Sequence, residues 1–101
     1  VKSALQLTGP HGRIELPRAA LVSIVVQATG LVAGARVRRP RRGLEIELDG
    51  DAARVEVGIA APLGSVLPEL GAAVQREVAE ALRTIAGLER VTVDVVVEEL
   101  E

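Results

Sequence analysis

Residues 43–60 read GLEIELDGDAARVEVGIA, and the period of that stretch decides the fold. Leu44, Ile46 and Leu48 alternate with Glu45, Glu47 and Asp49. After Asp49-Gly50-Asp51, a turn signal, Val55, Val57 and Ile59 alternate with Arg54, Glu56 and Gly58. A period of two places alternate side chains on opposite faces of a strand. The two runs therefore form a hairpin with one apolar and one acidic face. Such a sheet is covered on one side only, and the cover must come from elsewhere in the chain.

Two helices are available for it. From Ser65 to Ala86, the residues Leu67, Leu70, Val74, Val78, Ala81, Leu82 and Ile85 make a stripe at helical spacing, with Gln75, Arg76, Glu80 and Arg83 on the wet side. Ser65 is a candidate N-cap, and Gly87 suits the left-handed position that ends a helix. Leu21, Ile24, Val25, Ala28 and Leu31 predict a second helix over 17–31, opened by Pro17 and stopped near Gly30. Val22 and Val26 make it apolar on more than one side. RVTVDVVVEEL, residues 90–100, is the last strand. Residues 3–16 read as a short hairpin or an extended arm that turns at Gly9-Pro10-His11-Gly12, with residues 1–11 counted as arm. The expected fold is α+β and two-layered. Helices 17–31 and 65–86 pack on one face of a three-stranded mixed sheet of 44–48, 53–60 and 90–97, in the order α-β-β-α-β. Val55, Val57, Val74, Val78, Leu82, Val93 and Val95 are its expected core.

One domain fits 101 residues. The chain has no Phe, Trp, Tyr, Met or Cys, so the core is aliphatic. No disulfide or thiolate zinc site can form, which suits the cytoplasm. The longest apolar stretch, AALVSIVVQATGLVAGA at 19–35, falls short of a membrane span. Charge is segregated. Residues 1–43 hold eight basic side chains against Glu15, whereas residues 44–101 hold four against thirteen acids. Five of the basic residues, Arg36, Arg38, Arg39, Arg41 and Arg42, fall in RVRRPRRG at 36–43.

Several passages together resemble the alkaline-shock-protein family of bacterial envelope stress proteins. They are Gly43-Leu44-Glu45-Ile46-Glu47 with the Asp49-Gly50 turn, Gly64 ahead of the second helix, and Val74-Gln75-Arg76-Glu77-Val78 within it. Ile85-Ala86-Gly87-Leu88 before Val91-Thr92-Val93, and Gly12-Arg13-Ile14-Glu15-Leu16 near the start, complete the set. The resemblance covers 12–97 and leaves 98–101 as an acidic tail. Leu63 stands where an aromatic residue is common in the family, and TGLVAGARVRRPRR at 29–42 departs from its usual acidic stretch. The resemblance implies a role in envelope stress, clustering beneath the membrane through an anchored protein partner, and no catalytic site.

The residues themselves offer little for catalysis. His11 is the single histidine and lies in a turn, and Ser3, Ser23 and Ser65 lack an evident base. Asp49-Gly50-Asp51 is too short a ligand series for calcium. The sequence thus predicts no catalytic, cofactor or metal site. The arginine run can neutralise phosphates, and GPHG at 9–12 matches the Gly-x-x-Gly of RNA-binding KH domains, so a KH-like RNA-binding module is the rival reading. Against it, that motif belongs between two helices, no aromatic ring is present to stack on bases, and the open sheet face is acidic. The favoured reading is an interaction site. Arg36, Arg38, Arg39, Arg41 and Arg42 would meet a protein partner, or Glu45, Glu47, Glu56 and Asp94 of another copy, with anionic lipid as a peripheral contact. Arginine suits such a site because its planar fork matches a carboxylate.

Overall fold

A computed structural model describes residues 4–38 and 44–101. The chain runs β1 (Ala4–Gly9), β2 (Gly12–Pro17), α1 (Arg18–Gly30), β3 (Arg36–Val37), β4 (Leu44–Asp49), β5 (Ala52–Ala61), α2 (Leu67–Ala86) and β6 (Arg90–Leu100). The expected three-stranded sheet in α-β-β-α-β order is therefore corrected. Among the described residues six strands form a two-stranded sheet, β1 with β2, and a four-stranded sheet containing β3, β4, β5 and β6.

The central strand is β5. It pairs in parallel with β6 from Ala52 to Ala61 and antiparallel with both β4 and β3. Since β6 fills one edge of β5, β3 and β4 must share the other and lie end to end. Leu44 pairs with Val57, and Val37 with Ile59, so only Gly58 of β5 separates the two partners. Arg38 still donates its N–H to the Gly58 carbonyl at 3.0 Å. Arg36 and Arg38, the described start of the arginine run, thus lie along the same edge of β5 as β4. Two-residue β3 has no alternation to read, which is why the sequence conceals it. Arg39, Pro40, Arg41, Arg42 and Gly43 lie outside the described residues.

The β4–β5 connection has two residues, Gly50 and Asp51, between the paired Asp49 and Ala52. Gly50 takes φ +60°, as the first central position of a II′ hairpin turn demands. The Asp51 carbonyl then accepts the N–H groups of Glu89 at 2.9 Å and Arg90 at 3.2 Å, tying this turn to the start of β6.

Helix α2 lies over the apolar face. Val74, Val78, Leu82 and Ala86 are buried at i, i+4, i+8 and i+12, while Ile85, expected in the same stripe, is 64% exposed. Ser65 is not the cap. Val66 holds that position without a side-chain bond, and Ser65 Oγ instead donates to the Pro62 carbonyl at 2.7 Å. Gly87 ends the helix as predicted, at φ 73°. In α1, Pro17 is the extended residue before the first turn, and Leu21, Val25, Ala28 and Thr29 are buried. Val22 and Val26 pack against the core as half-buried residues.

Val55, Val57, Val74, Val78, Leu82 and Val93 are buried, but Val95 is only half-buried because it sits on an edge strand. The N-terminal stretch folds as a regular hairpin. Leu5 is buried, Leu7 and Leu16 pack against the core, and Ile14 stays exposed.

Candidate functional site

The open face of the four-stranded sheet gathers the predicted acidic residues. Glu45, Glu56 and Asp94 lie directly opposite one another on β4, β5 and β6, forming one row across the sheet. Glu47, Arg54 and Thr92 make the next row. Adjacent strands are about 4.8 Å apart, and like charges directly opposite are unfavourable. Arg54 relieves part of this repulsion. Its Nε and Nη2 reach Asp94 Oδ2 at 3.1 and 2.9 Å while it also stands opposite Glu47. Glu45, Glu47 and Glu56 are exposed, and Asp94 is half-buried.

Beyond Glu56 the central strand turns small, with Gly58 and then Ala60 on this face. Long side chains from the two edges meet across them. Arg36 forks onto Glu101, with Nε to Oε1 at 3.1 Å and Nη2 to Oε2 at 2.5 Å. Arg38 pairs with Glu99 at 3.3 Å. The Glu98 carboxylate lies over Gly58, within 2.6 Å of where a Cβ would stand. A bulge makes this possible. The register slips between Ile59, which pairs with Val97, and Ala60, which pairs with Glu99, so Glu98 is the extra residue. The hydrogen bond and charge of Glu101 raise the Arg36 pKa. At the far end of the sheet, the hydrogen bond and charge of Arg90, 2.9 Å away, hold the Asp51 carboxyl below the usual carboxylate range.

Comparison with known proteins fits this architecture. The profile of the alkaline shock protein 23 family, of cell envelope-related function, matches residues 19–101. The chain belongs to that family. The family resemblance carried by the sequence is thereby shown, and the protein's envelope-related character with it. No curated protein matches the chain. Among solved structures it is similar to a histidine-to-alanine variant of the MamM CTD, at 18% identity and TM-score 0.56, covering 82% of this chain and 98% of that one. The copper form of another variant gives 18% identity and TM-score 0.55, with the same coverage. A cysteine-to-serine variant gives 19% identity and TM-score 0.55, covering 82% of this chain and 96% of that one. At such identity the likeness is one of fold.

In this family member the structure brings Glu45, Glu47, Glu56 and Asp94 together on one face, as the strand alternation predicts. Arg36 and Arg38 stand at the same sheet's edge, already engaged by carboxylates of their own chain. Arg39, Arg41 and Arg42 lie outside the described residues. The sequence missed these pairings across β5. Gly58 and Ala60, small residues interrupting a bulky alternation, were the available signal. The structure also shows a groove of about 340 Å³ between the helices, lined by Ile24, Leu31, Glu77, Glu80 and Ile85. Among the described residues no three metal-ligating side chains come together, and no helix is long and apolar enough to cross a membrane.

Proposed function

We propose that this protein is a non-enzymatic scaffold of the cell envelope, working at the cytoplasmic face of the membrane through protein–protein contacts that include contacts between copies. The carrying observation is the Glu45–Glu56–Asp94 row on the open sheet face of a chain that also carries five arginines between residues 36 and 42. One copy's arginine segment meets the next copy's acidic row or a similarly acidic protein partner, and a membrane-anchored partner would localise the assembly. Arg36 and Arg38 hold the start of the segment through surface pairs to Glu101 and Glu99, which salt screens. The RNA-binding rival gains nothing from the fold. GPHG occupies the β1–β2 turn, and the open sheet face is acidic. Nor does a catalytic reading: His11 is exposed in that turn and Ser65 is spent on the Pro62 carbonyl.

The test is a salt titration of self-association beside binding to mixed RNA and to anionic vesicles. Self-association that fades as salt rises, and disappears when all five arginines become serine, is the expected result. Submicromolar RNA binding at physiological salt, lost in the same variant, would overturn the proposal in favour of the rival.

A further inference from the structure

Among the described residues nothing pairs with β6 on the side away from β5. Natural edges are blunted by lysine, proline, bulges or brevity. Here the bulge at Glu98 and the acids around it blunt only the end of the strand. The seven residues before it, VTVDVVV at 91–97, are mostly β-branched and hold one charge, the composition that pairs with further strands. That charge is already held by Arg54 at 2.9 Å. Val91, Val95 and Val97 are only half-buried and Val96 is 44% exposed, although Val91, Val95 and Val97 point toward the core side. The amide of Gln75, exposed on α2, donates to the Val93 carbonyl at 3.0 Å, and a surface glutamine can release it.

We infer that the partner for this edge is a second copy of the chain, its β6 running antiparallel about a two-fold axis through Asp94. The register follows from faces and charges. A shift by one residue would set inward side chains against outward ones. Centring on Val95 would place Val91 opposite Glu99, and centring on Val96 would place Asp94 opposite Glu98. Centring on Asp94 sets Val91 against Val97 and Val93 against Val95, twice each by symmetry. It also sets Arg90 against Glu98. The two Asp94 carboxylates meet at the axis, each accompanied by its Arg54. The contact is isologous and closes at two copies. It shares Asp94 with the acidic row but does not depend on the arginine segment.

The chain has no cysteine, so single cysteines report the register directly. Asp94→Cys, Thr92→Cys and Val96→Cys would each be oxidised at physiological salt, with circular dichroism confirming the fold. Residue 94 meets its own symmetry mate within disulfide reach, whereas residue 92 lies roughly 13 Å from its own mate, four residues along the strand. Asp94→Cys should therefore cross-link, and Thr92→Cys and Val96→Cys should cross-link when mixed but not alone. Repeating the oxidation with the five arginines replaced by serine should leave the pattern unchanged, which separates this edge from the charged contact. No cross-linking at 94, equal cross-linking at all three positions, or a parent that sediments as a monomer at high concentration and high salt would overturn the inference.

Discussion

Val78 shows how narrowly this aliphatic core is specified. It is fully buried between α2 and the sheet, in a chain whose core holds no aromatic ring to absorb a change of volume. Val78→Asp places an unpaired charge there, at a cost of several kcal/mol against the roughly 5–15 kcal/mol that holds a small domain together. The variant should be unfolded by circular dichroism at room temperature, and one that melts like the parent would refute the packing of α2. Thr29 offers the opposite case. It is fully buried on α1, and its Oγ1 has no hydrogen-bond partner among the described residues. A buried hydroxyl left unpaired costs about 1–3 kcal/mol, so Thr29→Val, which keeps the shape and removes the polar atom, should raise the melting temperature. A lower melting temperature would mean that the hydroxyl has a partner.

At the scale of elements, the readable parts were those with a strong period. The alternation of 43–60 and the stripe from Val74 to Leu82 gave β4, β5 and α2 within a few residues, and the left-handed glycine at 87 gave the end of α2. Everything set by tertiary pairing was hidden. Strand β3 is two residues long, the register slip of β6 at Glu98 arises only on pairing with β5, and the caps of both helices lack the side-chain bonds a sequence would advertise. The acidic half of the candidate site was legible because it rides on alternation. Its pairing with Arg36 and Arg38 was not, because those contacts span 65 and 61 residues of sequence and depend on the small Gly58 and Ala60 between them. The α1–β3 connection holds one more such constraint. Gly34 has φ 87°, and a Cβ there would lie 2.6 Å from the Pro62 ring at the end of β5. A proline ring cannot swing aside as a flexible side chain would. Gly34→Ala should therefore lower stability by about 1–3 kcal/mol, measurable by urea unfolding, whereas Gly30→Ala, in open space within α1, should not.

At the scale of the molecule, the sheet presents two unlike contact surfaces on one small domain. In the proposed assembly the open face would make a charged contact between different patches, one that runs head to tail and can propagate. The β6 edge would make a two-fold contact, which closes. A chain carrying both can build an extended assembly whose growth depends on salt and whose paired unit does not, a behaviour suited to a scaffold. The charged contact is the central claim, and complementation tests it most directly. One variant would replace the five arginines with serine and keep the acidic face. The other would replace Glu45, Glu47 and Glu56 with glutamine and keep the arginines. In sedimentation velocity at low salt, neither variant alone should show the salt-sensitive growth of the parent. Mixed, the two should associate, and they should separate as ionic strength rises and screening shortens below about 8 Å. A mixture that sediments as the sum of its separate components at low salt would contradict the account.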